Sequence, residues 1–201
     1  MAASAALVLQ IDDLSTAGVD ITLVDGAIGD LLGPGLVLYA GGVGTWTVAA
    51  TGVGNGQSSI FGIDLNSLAI SSNAGGTLRL SLTETDLALG MPGPISVTSL
   101  IGGTTQGSVS YASWVDDSNA AFGHGALLFS GASGAGAFAA SGSQTVPVAD
   151  PFSLTLQVDI THLGRYLTSF DFAAQVPEPG TLALLAVGLL GLGAATRRRQ
   201  R

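Results

Sequence analysis

The chain contains no cysteine and no lysine, and only 10% of its 201 residues are charged. Without cysteine there are no disulfides, no thiolate metal sites and no cysteine nucleophile. Six arginines supply the side-chain cations, and four of them crowd into the last five positions. Up to residue 176, Arg79 and Arg165 stand against thirteen acids, a net charge of −11, while 177–201 carries +3. A body this acidic repels a phosphate backbone, so nucleic acid is excluded as its partner. Aromatic residues make up only 6% and glycines number thirty, a profile far from that of a cytosolic α/β enzyme. The length fits one domain of ordinary size plus a short extra segment.

What remains is dominated by a period of two. Phe152, Leu154, Leu156, Val158 and Ile160 alternate with polar residues, as do Leu78, Leu80 and Leu82. Such runs read as strands with one dry and one wet face. Weaker runs of the same kind lie near 6–11, 19–24, 36–39, 45–49, 68–71, 95–101, 108–115, 126–130 and 168–172. Glycine, asparagine and proline clusters punctuate them, as in Asn73-Ala-Gly-Gly76 and Pro92-Gly-Pro94. About ten short strands separated by turns predict an all-β, antiparallel β-sandwich. The glycine- and alanine-rich segment 131–142 is expected to be a small-residue strand pairing with Ala126–Ser130.

No helix-period stretch occurs before Thr181. From Gly180 to Thr196, seventeen residues carry no charge; as a helix they span roughly 25 Å, the short limit for a bilayer core of about 30 Å. The expectation is a single C-terminal transmembrane helix over 180–196, contacting membrane lipid. Arg197, Arg198, Arg199 and Arg201 then form a stop-transfer cluster that stays cytoplasmic, with the acidic body outside. Immediately before the run, Pro177 and Pro179 bracket Glu178, which keeps the motif out of helix and sheet and leaves it extended for a protease.

The order Pro-Glu-Pro, apolar run, arginine cluster resembles the PEP-CTERM sorting signal of bacterial surface proteins, over Val176 to Arg201. The resemblance implies recognition of Pro177, Glu178 and Pro179 by an exosortase-type membrane protease, which removes a transient anchor. A second, looser resemblance to the bodies that accompany such tails rests on Asp64-Leu65-Asn66-Ser67 and Leu82-Thr-Glu-Thr-Asp86, and implies a surface protein without naming a substrate. At the other end, Ala3-Ser4-Ala5 fits the small-x-small pattern before a signal cleavage site, yet no basic or long apolar region precedes it. Two explanations are open: Met1 lies within a longer signal peptide or is a misassigned start, with residues 1–5 a remnant and the mature chain beginning near Ala6; or this copy is exported inefficiently. The expected organisation is therefore a secreted sandwich over 6–175 and a sorting signal over 176–201.

Candidate chemistry in the body is sparse. Asp12-Asp13, Asp20, Asp25, Asp30 and Asp116-Asp117-Ser118-Asn119 offer oxygen ligands for calcium, with Asp116 and Asp117 the best candidates, yet none matches a calcium loop, and turn acids are the plainer reading. No cofactor is implied. His124, between two glycines in a turn, and His162, at a strand end, are the only histidines, and no Gly-x-Ser-x-Gly elbow accompanies either. A pair of carboxylates for glycoside hydrolysis must come mainly from aspartates, since Glu84 is the body's single glutamate. Trp46, Tyr39, Trp114 and Tyr111 would stack on sugars if exposed on one face; in a chain so poor in aromatics they are expected in the core. Thr45/Thr47 and Thr83/Thr85 are isolated pairs and not the ladders of an ice-binding face.

The sequence thus predicts an exported protein, transiently anchored in the inner membrane and then placed at the cell surface or in the extracellular matrix. Its expected role is structural or adhesive, without catalysis, with exopolysaccharide as a candidate partner. The alternatives are a secreted hydrolase or carbohydrate-binding module using the same tail, and a permanently anchored binding module. A pocket holding either histidine beside acids would favour the hydrolase.

Overall fold

The computed structural model describes residues 6–27, 32–54, 61–89 and 93–176, the side chain of Phe61 excepted. Twelve strands run through it in chain order: β1 (Leu7–Asp13), β2 (Ile21–Val24), β3 (Leu36–Val43), β4 (Trp46–Val53), β5 (Phe61–Ser72), β6 (Gly76–Leu87), β7 (Gly93–Thr105), β8 (Ser108–Asp116), β9 (Ala126–Ser133), β10 (Gly136–Val148), β11 (Phe152–His162) and β12 (Leu167–Val176). They form two six-stranded sheets, sheet I in the order β2-β1-β6-β11-β8-β9 and sheet II in the order β10-β7-β12-β5-β4-β3. Every pairing is antiparallel. The all-β, two-sheet expectation holds, with twelve strands where about ten were read.

The alternation read from sequence is what makes the sandwich. Leu7, Leu9 and Ile11 on β1, Leu78, Leu80 and Leu82 on β6, and Leu154, Leu156, Val158 and Ile160 on β11 point inward from sheet I. Trp46 and Val48 on β4, Ile63, Leu65 and Ile70 on β5, and Phe170 and Phe172 on β12 meet them from sheet II. Fully burying one such side chain stabilises by about 1.5–3 kcal/mol. Because successive residues face opposite ways, Gln10, Asp12, Arg79, Ser81, Thr155, Gln157 and Asp159 are carried onto the outer face of sheet I.

One pairing departs from expectation. Residues 131–142 do not pair as a unit with Ala126–Ser130. The chain leaves β9, which pairs with β8, turns through Ser133 to Gly136, and crosses to sheet II, where β10 pairs with β7 along its whole length. Gly136, at φ +126°, takes a conformation that side chains resist, and this is where the chain changes sheet. Pro177, Glu178, Pro179, the apolar run 180–196, Arg197–Arg199 and Arg201 lie outside the described residues, as do residues 1–5. Among the described residues no helix is long and apolar enough to cross a membrane.

Candidate functional site

A groove of about 180 Å³ crosses the outer face of sheet I. Its floor is Gln10 and Asp12 from β1, Arg79 and Ser81 from β6, and Thr155 and Gln157 from β11. The register sets these in rows: Gln10, Ser81 and Gln157 lie side by side on three adjacent strands, and Asp12, Arg79 and Asp159 form the next row. Within that second row Arg79 holds Asp159 bidentately, Nε and the second guanidinium nitrogen each donating at 2.7 Å. Both oxygens of Asp159 are thereby occupied. Asp12 keeps Oδ1 enclosed and without a hydrogen-bond partner. Its carboxyl is held above the usual range, by burial first and then by the charge of Asp20, against the pull of Arg79. Ser81 is 7% exposed, and its hydroxyl carries no hydrogen bond to another described residue. Leaving a buried polar atom such as Asp12 Oδ1 unmatched costs at least about 1–3 kcal/mol.

The walls come from loops: Val19 follows β1, while Phe122 and His124 lie between β8 and β9. The 117–125 loop is tied down at several points. Asp86 N donates to Asn119 Oδ1 at 2.7 Å and Asn119 Nδ2 returns a bond to Asp86 Oδ1 at 2.8 Å. Phe122 N donates to Thr83 Oγ1 at 3.2 Å, and Ser153 Oγ donates to Ala120 O at 2.7 Å. Asn119 and Phe122 have φ of +57° and +55°. For an aromatic residue that backbone is strained, and strain of this kind persists only where its surroundings enforce it. A Cβ on Gly123 would come within 2.5 Å of Asp116 Cγ; the glycine lets the loop close onto β8. His124 then stacks on Trp114, ring centroids 4.0 Å apart at 18°.

The aromatics divide. Trp46 and Tyr111 are buried, and Tyr39 packs partly buried against the core with its hydroxyl donating to Gly42 O at 2.8 Å. Trp114 corrects the core reading: it sits on the outer face of sheet I, because Tyr111, Ser113 and Val115 take the inward positions of β8 and leave the alternate ones outside.

His162 is 0% exposed. Its Nδ1 lies 2.7 Å from Ser72 Oγ and its Nε2 lies 2.8 Å from Thr168 Oγ1. Ser72 donates its one hydroxyl proton to Gly164 O at 2.6 Å, so Nδ1–H must be the donor to Ser72, and Nε2 accepts from Thr168. Thr168 accepts in turn from Thr105 at 2.7 Å. A serine–histidine nucleophile needs the proton to run from serine to imidazole; here it runs the other way. Burial pushes the His162 pKa down, in keeping with a neutral ring that bonds the sheets together.

The calcium candidates accept hydrogen bonds from nearby backbone and hydroxyl groups. Asp116 Oδ1 accepts from Ser118 N at 2.7 Å and from the Ser118 hydroxyl, and that hydroxyl bond is the first cause of its lowered pKa. Asp117 Oδ1 accepts from Ala149 N at 3.1 Å. Asp13 accepts from Ser15 N, Asp20 from Asp13 N, and Asp25 from Gly35 N; Asp30 lies outside the described residues. Glu84 is buried at the end of the core. Among the described residues no three acids or histidines gather as a metal site.

Sequence reasoning missed a carboxylate pair that the fold brings together among the described residues. Asp64 on β5 and Asp171 on β12 meet on the outer face of sheet II, where burial, the charge of Asp171 and a hydrogen bond to it push Asp64 up to about 7. The residues are distant in sequence and only the β5–β12 register brings them together. The groove lies on the other sheet, so the dyad and the groove do not combine.

Residues 175–199 match the PEP-CTERM protein-sorting motif. That motif implies export, transient passage through the membrane to the cell surface, and processing by exosortase. No curated protein matches the chain. Among solved structures, the enzymatically active domain of bacteriophage CBA120 tailspike protein 4 aligns at 11% identity over 68% of this chain and 20% of that one, with a TM-score of 0.36; the chain thus spans a fifth of that protein. A cleaved adhesin domain of Lys-gingipain from Porphyromonas gingivalis aligns at 11% identity over 70% and 96%, TM-score 0.35. A xylan-binding domain from CBM 22 aligns at 16% identity over 69% and 90%, TM-score 0.34. Scores below 0.5 do not establish a shared topology, and the two-sheet architecture rests on the strand pairing itself.

Proposed function

We propose that this chain, which carries a PEP-CTERM sorting motif, is a surface or extracellular-matrix protein whose β-sandwich is delivered by a removable C-terminal anchor and serves there as a structural or adhesive module without catalysis. The observation that carries the reading is the motif match over 175–199; the contrast between an acidic body and an arginine-rich end supports placing the body outside. The reading without catalysis is supported by how acids and histidines of the body are already engaged. Asp159 has both oxygens on Arg79, and the imidazole of His162 is enclosed with its protons committed. His124 is stacked on Trp114.

The test is the intact mass of the protein from its own host. Wild type should end near Pro177–Pro179 and be recovered outside the inner membrane, while the Pro177→Ala/Pro179→Ala variant should stay full-length in the membrane fraction. Equal processing of the two refutes the sorting role, and a full-length wild type in the membrane replaces it with a permanent anchor. The hydrolase reading draws on one observation, that His124 and Asp12 line the same groove; release of reducing ends from polysaccharide that is lost in His124→Ala would put it first.

A further inference from the structure

The groove on sheet I holds polar groups that the fold leaves unmatched. Ser81 is enclosed by its neighbours apart from its opening into the groove, and its hydroxyl has no partner among the described residues. Asp12 Oδ1 is enclosed and equally without a partner. The amides of Gln10 and Gln157 flank Ser81 in register and likewise bond to no other described residue. Ser81 is 7% exposed and its hydroxyl is left to be matched through the groove, and a hydroxyl, two amides and a carboxylate converging on one cleft point to a ligand. The strained Phe122 beside them is a second sign, because strain of this kind gathers at binding sites.

We infer that this groove binds one ring of a neutral polysaccharide. Amides, a hydroxyl and a carboxylate together offer both donors and acceptors, which is what adjacent sugar hydroxyls, each donor and acceptor at once, require. Strand neighbours stand about 4.8 Å apart, so a ring laid across the floor meets Gln10, Ser81 and Gln157 together while Asp12 reaches it from the next row. Phe122 supplies an apolar wall for the C–H face of the ring. Acidic polysaccharide and phosphate are disfavoured: Arg79 is neutralised by Asp159, Asp12 and Asp20 add negative charge, and the body carries −11. The inference rests on the adhesive reading and names the partner class for it.

The test is affinity electrophoresis of the full chain in mild detergent, in native gels containing a β-glucan, a galactan, a mannan or a xylan, with alginate as the acidic control. At least one neutral polymer should retard the protein and alginate should not. Gln10→Ala/Gln157→Ala should raise the dissociation constant at least tenfold with thermal unfolding unchanged, and Phe122→Ala should also weaken retardation. Retardation by alginate alone, by no neutral polymer, or undiminished in the glutamine variant overturns the inference. The mass measurement keeps the two readings apart: a sorted protein with an inert groove loses this inference alone, and a glycan-binding protein that is never processed loses the sorting reading alone.

Discussion

On the outer face of sheet II, hydroxyls bond to one another across strands. Ser96 meets Thr145 and Thr98 meets Ser143, each at 2.8 Å, and Thr104 meets Ser169 at 3.2 Å. On the outer face of sheet I, Ser81 and its glutamine neighbours make no such bonds and lie under loops that wall them in. Both faces come from the same polar half of an alternating strand pattern. The difference is supplied by loops and register: a polar row that satisfies itself is a surface, whereas one left unmatched beneath walls is a site.

Treating the faces as separable supposes that the seam between the sheets holds. That seam is His162 of β11, which bonds Ser72 of β5 and Thr168 of β12. His162→Leu leaves two buried hydroxyls without that partner and should cost about 3 kcal/mol in denaturant unfolding. The pH dependence carries a sign. A histidine whose folded pKa is depressed takes up its proton in the unfolded chain first, so its contribution is intact above about 6.5 and shrinks as pH falls below that value. The leucine variant should lack that slope. A loss below about 1 kcal/mol would show that the network does not hold the sheets together.

The second effect is smaller and opposite in sense. Asp64 has a folded pKa raised to about 7 from 3.8, so between those values the native state holds a proton that the unfolded chain has released. Stability should therefore fall as pH rises from about 4 to about 7 and level off above. Asp64→Asn removes the repulsion with Asp171, and with solvent screening on an outer face the gain at pH 8 should be about 1 kcal/mol. The gain should vanish near pH 4. A variant less stable than wild type at pH 8 would mean that the pair is bridged by a group that needs both charges.

Much of the sandwich was legible. Phe152 to Ile160 and Leu78 to Leu82 alternate cleanly and lie in the middle of sheet I. Only the end of β5 was read: Ile63, Leu65 and Ser67 face inward, then the register shifts and Ile70 takes the next inward place, so no single period joins the two parts of the strand. A bulge hides a strand from any period-two reading. Trp114 could have been placed, since it has opposite parity to Tyr111 on one strand and the two cannot share a face. The crossing at Gly134–Gly136 could not, because alanine and glycine mark neither face. The groove was out of reach for another reason. Gln10, Ser81 and Gln157 come from strands far apart in sequence, and only pairing register makes them neighbours. Arg79 and Asp159, opposite charges on outward positions of two predicted strands, were the one signal available.

The finest test removes the same atom from each face. Ser143→Ala breaks an exposed hydroxyl pair, Thr98 regains a water, and the cost should stay within about 0.5 kcal/mol. Ser81→Ala removes a hydroxyl that has no partner among the described residues and opens only into the groove. Its loss strands no protein partner, so this substitution should stay within about 1 kcal/mol of neutral while weakening polysaccharide retardation. Paired unfolding curves and gels decide it. If Ser81→Ala destabilises by more than about 1 kcal/mol, its hydroxyl has a partner within the free protein, the two faces are alike, and the asymmetry that marks sheet I as the binding face disappears.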